Sequence, residues 1–229
     1  MPANKTVFHW SSGKDSALAL YYLLQDSRYK VDKLITTINE HYGRVTMHGT
    51  PQALLEKQVE SLGIDHDVIK LSQSASMEAY EQQMKESMNQ LSSKGFTQSA
   101  FGDIFLEDLK SYREKEMNRF GFKTVFPLWK KNTSILIDEF LSLGFKAVIV
   151  CANDRLGERF LGRTIDQSFI EDLPVGIDPC GEHGEFHTFC YDGPIFKKPI
   201  SFRLGEKTKR SYPNPSGDGE VDFWFQDLL

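Results

Sequence analysis

A doubly wound α/β fold on a parallel sheet, followed by a smaller C-terminal α+β domain, is predicted by three features of the chain. Apolar β-like runs alternate with amphipathic helical stretches from residue 6 to residue 151, the pattern of strands whose crossover helices cover both faces of a sheet. The first β run empties through a Ser/Gly/Lys/Asp loop straight into a helix. From residue 152 onward Gly, Pro, Asp and aromatic residues dominate and clear helices are few, so the chain divides into residues 1–126 and 127–229. At 229 residues it can bury a sizeable core in one large or two small domains.

The elements follow in order. A first strand begins at Thr6, and its helix follows the loop at residues 11–16. Residues 33–38 read as the second strand, leading to a loop with Gly43, His48 and Gly49. Thr50-Pro51 is a helix start, with Thr as cap and Pro at the first helical position, and Gly63 ends that helix. Residues 67–71 form a third strand. Met77, Tyr80, Met84, Met88 and Leu91 then recur at helical spacing as a core stripe, and Gly95 ends their helix. Residues 99–102, 107–120 and 123–126 give strand, helix and strand, with Gly121 as the helix stop. One more such unit, a helix over 133–143 ending at Gly144 and a strand over 146–151, opens the second domain. Residues 211–220 read as a Pro/Gly/Asn/Ser linker, and 221–225 as a docked tail or edge strand. No internal repeat is present.

Composition excludes several classes. Hydrophobic content of 40% and charged content of 26% are ordinary for a soluble globular protein. The longest apolar run, 147–152, is too short for a bilayer span, and residues 1–5 do not make a signal peptide. A cytoplasmic location without membrane attachment is expected. Cys151, Cys180 and Cys190 are an odd set lacking Cys-x-x-Cys, which argues against a disulfide framework. The net charge of −5 makes nucleic acid an unlikely partner, because such binding rests on Lys and Arg neutralising phosphates. The short basic clusters at 197–198 and 207–210 read as a solvated face. A homo-oligomer is left open.

The loop is where a phosphate would sit. Unpaired N–H groups at a helix start and the helix dipole concentrate positive charge there. Lys14 adds a full charge, Ser11, Ser12 and Ser16 add hydroxyl donors, and Gly13 lets backbone approach closely. A Walker A loop is excluded, since its first glycine and its Ser/Thr after the lysine are replaced by Phe8 and Asp15. In an open parallel sheet this loop, the turn after Ile38 and Gly102-Asp103 should rim one crevice. Asp15 can hold Mg²⁺ or cap the helix, with capping slightly favoured. Asp103, Glu107 and Asp108 are either acids at a helix N-terminus or, for Asp103, a Mg²⁺ ligand or an orienting group for an incoming amine. Cys180, His183, His187 and Cys190 are ligand types that suit zinc, but Gly181 and Gly184 disfavour a helix that would align them, so metal is not favoured.

Ser11-Ser12-Gly13-Lys14-Asp15-Ser16 resembles the Ser-Gly-Gly-x-Asp-Ser pyrophosphate loop of the ATP pyrophosphatases, with Ser12 in place of the first glycine. Taken with Gly102-Asp103-Ile104, Pro127-Leu128-Trp129, Leu161-Gly162-Arg163-Thr164-Ile165-Asp166, the block from Gly181 to Thr188 and Asp192-Gly193-Pro194-Ile195-Phe196-Lys197, the chain resembles the diphthine-ammonia ligase family over residues 6–202. The resemblance implies a Rossmann-like sheet of the adenine nucleotide alpha hydrolase type and ATP as cosubstrate, with Mg²⁺ arriving on its phosphates and Asp15 or Asp103 at hand. It places the β and γ phosphates on residues 11–16, adenine against backbone near Ile38, and His48 and Gly102 beside the nucleotide. It makes Lys14, Asp103, Glu182 and Glu185 catalytic, the two glutamates as a pair that holds ammonium and accepts its proton. Arg163, His183, His187 and Thr188 would face the acceptor, with Asp166 holding Arg163, while Arg113 stands one position after the family's arginine. The implied activity is ATP-dependent amidation of a small or protein-borne carboxylate by ammonia. His183 and His187 replace a glycine and a glutamate of the family pattern, which implies a different acceptor from diphthine. A tRNA-modifying pyrophosphate-loop enzyme and a non-catalytic nucleotide sensor are the alternatives.

Overall fold

A computed structural model describes residues 3–46, 48–71, 77–213, 217 and 219–229. The first half forms a sheet whose parallel strands run in the spatial order β4-β2-β1-β5-β6. These are β1 (Asn4–His9), β2 (Tyr29–Asn39), β4 (Asp65–Leu71), β5 (Gln98–Ala100) and β6 (Lys123–Val125). The two-residue β3 (Arg44–Val45) pairs antiparallel with the end of β2. From β1 the chain builds outward to β2 and β4, then returns to place β5 on the other side of β1. Ligands of open α/β sheets bind at such a reversal, and the loop at 11–16 leaves β1 there.

Alternation along β1 covers both faces. Phe8 packs with Ala17, Leu20 and Leu23 of α1 (Lys14–Gln25), whereas Val7 packs with Met84, Met88 and Leu91 of α3 (Met77–Ser93) and Met117 of α4 (Glu107–Arg119). The methionine stripe is therefore core, although the side chains of Met77 and Tyr80 lie outside the described residues. Helix α2 (Gln52–Leu62) starts one residue later than the Thr50 cap predicts. Pro51 takes the N-cap position, and the Thr50 hydroxyl is spent on Ser12 instead. Gly63, in the left-handed region at φ 69°, ends α2 with its N–H on the Val59 carbonyl.

The second half departs from the predicted pattern. Helix α5 (Thr133–Ser142) is as expected, its Asn132 cap accepting from the N–H groups of Ser134 and Ile135. The strand after it, β7 (Lys146–Asn153), does not extend the parallel sheet. It joins β8 (Phe186–Asp192), β9 (Leu204–Pro213) and β10 (Glu220–Leu228) in an antiparallel sheet of order β8-β7-β10-β9. A strand buried on both faces reads as one apolar run whichever way its neighbours point, so composition could not assign β7. The predicted tail at 221–225 is an interior strand, held between β7 and β9. Of the predicted linker at 211–220, residues 211–213 lie in β9 and residue 220 in β10, and residues 214–216 and 218 lie outside the described set. Val148, Val150, Phe189, Ile200 and Leu228 form this sheet's own buried cluster, and Leu54 of α2 packs into it.

Candidate active site

Each residue of the loop is held by a specific contact. Ser12 sits at φ 73°, a left-handed conformation that costs an L-residue about 1 kcal/mol relative to glycine. Its fully buried hydroxyl hydrogen-bonds Thr50 Oγ1 at 2.8 Å, and its carbonyl accepts from Cys190 N–H and Gln58 Nε2. Those contacts hold the conformation without the family's glycine. Ser11 and Ser16 close the loop, hydroxyl to hydroxyl at 2.8 Å, with Ser11 N–H also donating to Ser16 Oγ. Gly102, after β5, lies against the loop backbone: a Cβ there would stand 3.1 Å from Ser16 N.

Lys14 is buried, with Nζ on the Asp15 carboxylate at 2.7 and 2.8 Å and on the Cys180 carbonyl. Burial pulls the ammonium downward, but Asp15, Cys180 and Glu182 together hold it above its ordinary value. Asp15 is thus a partner of Lys14 and not a helix cap. The N-cap of α1 is Gly13, which has no side chain to accept a bond. The Lys14 N–H instead donates to Thr188 Oγ1 of β8 at 3.0 Å, so the C-terminal sheet supplies the cap.

The turn before β8 brings Glu182 to the same place. Its Oε1 accepts from Ile104 N–H at 3.0 Å and Phe105 N–H at 3.2 Å, in the loop after β5. Burial raises its carboxyl to about 7, Asp15 adds to the rise, and the backbone donors and Lys14 oppose it. Glu185 does not pair with Glu182. It is buried, and its oxygens are taken by the N–H groups of Asp178 and His183, which makes it the brace of the turn. His183 is exposed, its ring 5.2 Å from that of Phe105.

His48 and His187 meet over the loop. Their ring centres are 5.0 Å apart, and His48 Nδ1 lies 2.9 Å from the Thr188 carbonyl, so Nδ1 carries the proton and Nε2 is left as an acceptor. Burial lowers both imidazoles, His187 to about 3, with His48 and Lys14 adding to its fall. Both are neutral at pH 7.

Other predicted site residues lie elsewhere or are already engaged. Arg163 pairs with Asp172 at 2.9 Å and stands over the rings of Phe160 and Phe169. Residues 162–165 run along the edge of β7 near its start, while β8 pairs across β7's other edge, so β7 separates Arg163 from the loop. Asp166 caps α6 (Gln167–Glu171) by accepting from Phe169 N–H, and reaches Arg163 through Ser168, whose hydroxyl donates to Asp166 and accepts from the guanidinium. Ile38 pairs with Val45 on one side and Lys70 on the other, so its backbone offers adenine no open strand edge. Asp103 takes the Arg113 guanidinium at 2.8 Å, and burial nevertheless raises its carboxyl. Asp15 and Asp103 are therefore each matched by a cation. Among the described residues no group of three or more His, Cys, Asp or Glu could hold a metal. Thr50, Gln58 and the Cys180 carbonyl also build the site, and no local pattern in the sequence marks them.

A parallel sheet with this Ser/Gly/Lys/Asp/Ser loop at its reversal point, joined to an antiparallel sheet that caps the loop's helix, is a pyrophosphate-loop-like α/β fold. The chain belongs to the diphthamide synthase family: the family's N-terminal domain matches residues 4–124 and its C-terminal domain residues 132–213. It is 34% identical over 102 residues to the diphthine–ammonia ligase of Homo sapiens, covering 42% of this chain and 38% of that one. Against the Mus musculus enzyme identity is 32% over 116 residues, covering 48% and 43%. Against the Schizosaccharomyces pombe enzyme it is 30% over 92 residues, covering 38% and 15%. The match thus spans less than half the length of these relatives. A U34-tRNA thiolase, NcsA, from Methanococcus maripaludis overlays with a TM-score of 0.39 at 16% identity, covering 63% of this chain and 59% of that one. Among the described residues no helix is long and apolar enough to cross a membrane.

Proposed function

We propose that the chain is an ATP-dependent amide ligase that activates a carboxylate as its acyl-adenylate and transfers it to ammonia. The observation that carries this reading is the turn 178–185 beside the start of α1, which sets the Cys180 carbonyl on the buried Lys14 and the Glu182 carboxyl, raised to about 7, within electrostatic reach of Lys14 and Asp15. An acceptor carboxylate oxygen attacks the α phosphorus of ATP and the bond to the β-phosphate oxygen breaks, releasing pyrophosphate. Lys14 and the start of α1 stabilise the charge that develops on that leaving group. To do so, Lys14 exchanges the Cys180 carbonyl for a phosphate oxygen while keeping Asp15.

Ammonium is a cation and not a nucleophile. Glu182, ionised above about pH 7, holds it and takes one proton. The ammonia so formed attacks the acyl carbon, AMP leaves with the bonding pair, and the extra proton on nitrogen passes to the departing phosphate or to water, leaving the amide. Mg²⁺ would add charge neutralisation on the phosphates, held mainly by them and by water, with Asp15 the carboxylate within reach. The neutral His48 and His187 favour an uncharged or anionic acceptor over a trimethylammonium one.

The test is turnover of α-labelled ATP with ammonium and fractionated host lysate, followed by chromatography. AMP and pyrophosphate with an amidated acceptor support the reading; ADP and phosphate refute it.

A further inference from the structure

The turn 178–185 carries the Cys180 carbonyl, which holds Lys14 until a phosphate oxygen replaces it, and the Glu182 carboxylate under Ile104 and Phe105, which the proposed chemistry uses. They flank Gly181, which sits at φ 70° with no room for a Cβ, since one would lie 2.9 Å from the Phe186 ring. A two-residue span around a glycine is intrinsically loose, and something must fix which way its neighbours point. One carboxylate does so. Asp178 Oδ1 accepts from Cys180 N–H at 2.8 Å and from Glu182 N–H at 3.3 Å. Asp178 Oδ2 accepts from the Thr133 hydroxyl at 2.7 Å, tethering the turn to the first residue of α5. Asp178 N–H is itself held by Glu185.

We infer that Asp178 is a positioning residue for both Lys14 and Glu182: by gathering the amides on either side of Gly181 it aims one carbonyl at the lysine and one carboxylate at the loop after β5. It touches no reacting atom. Its effect is to keep Glu182 in the half-buried position that faces Lys14 and Asp15 from α1 and rests on the Ile104 and Phe105 amides. Without Asp178 the Glu182 side chain swings toward water and becomes an ordinary carboxylate. This rests on the ligase reading only for its effect on turnover; the placement itself is independent of it.

The experiment follows the Glu182 carboxyl by carbon-13 NMR titration in the full chain, assigned with Glu182→Gln, for the wild type, Asp178→Ala and Asp178→Asn. Asparagine retains the acceptor oxygen, so its titration should match the wild type. The alanine variant should fall toward the ordinary glutamate value of about 4.3. Its rate of AMP formation should drop about 10–100-fold, as for lost groups that orient a reacting residue, with the acidic limb of the pH profile moved down in parallel. A folded Asp178→Ala protein whose Glu182 titrates as in the wild type overturns the inference. Should that variant not fold, Thr133→Val removes only the hydroxyl on Oδ2 and should give the same shift at smaller amplitude; no shift there overturns it equally. A wild type that forms no AMP while these titrations behave as expected refutes the ligase reading and leaves the positioning role standing.

Discussion

Gly13→Ala isolates the contact between the loop and His48. Gly13 has φ −91° and ψ 175°, an extended conformation open to any residue, so backbone strain plays no part. The obstacle is steric: an added Cβ would lie 2.5 Å from His48 Cε1 and 3.1 Å from its Nδ1, with the Thr188 carbonyl at 3.3 Å. To clear the methyl group the ring must move by roughly 1 Å, which breaks the His48–Thr188 hydrogen bond, a loss of about 1 kcal/mol. Overpacking adds a cost of about 1–2 kcal/mol, giving an expected destabilisation of about 2–3 kcal/mol. His48→Ala removes both the obstacle and the bond. In that background Gly13→Ala should be neutral or slightly stabilising, because alanine restricts the unfolded chain. The coupling in the double-mutant cycle should therefore be about 2–3 kcal/mol. Urea unfolding at constant m value measures it. Additive effects in the cycle would show that the imidazole does not lie over Gly13 in solution.

Four further outcomes are expected. Lys14→Met should weaken ATP binding about tenfold or more, the loss of a charge-assisted contact; unchanged affinity by calorimetry would remove the loop from the nucleotide site. Glu182→Gln should abolish the rise of AMP formation through about pH 7, leaving a low and flat profile, and a retained rise would assign the proton acceptor elsewhere. Burial depresses His9 and His187 to about 3 and His66 to about 4, so the folded protein keeps them neutral while the unfolded chain binds protons below about pH 6.5. Stability is therefore full above that pH and falls as pH drops toward 4, each histidine contributing about 1 kcal/mol of loss by pH 5.5; His66→Gln should flatten the decline, as measured by denaturant midpoint. Finally, His187→Glu should shift acceptor preference toward cationic carboxylates, and efficient amidation of diphthine by the wild type would contradict the role given to His187.

The first half of the fold was legible because each strand–helix unit is marked locally. Gly63, Gly95 and Gly121, all at positive φ, stand where the helices end, and the apolar stripe of α3 follows one face. The second sheet was not. β9 carries Lys207, Lys209 and Arg210 among its exposed residues, and only its pairing with β10 makes it a strand. The loop was legible as a motif, since residue types alone carry its charge and its donors. What its neighbours do depends on distant chain segments. Whether a carboxylate faces a cleft or a backbone amide is set by where the turn folds, which is why Glu182 and Glu185 part company and why Arg163 finds Asp172. The Thr50 hydroxyl reads equally well as a cap or as a partner of Ser12 until α2 is docked.

The cap that β8 places on α1 has a consequence for inheritance. The Lys14 amide, the Ser12 carbonyl and the His48 ring are each completed by residues 188 and 190, on the far side of the boundary between the two matched family segments. A chimera that took one segment from this chain and the other from a relative would splice the loop at residues 11–16 to a foreign β8. It would keep its shape only where the donor strand brings a hydroxyl at 188 and an amide in register at 190. The two segments therefore share one set of contacts, and substitutions at His48 should be accompanied among relatives by changes at His187 of β8, whereas those at Ser12 should follow Thr50.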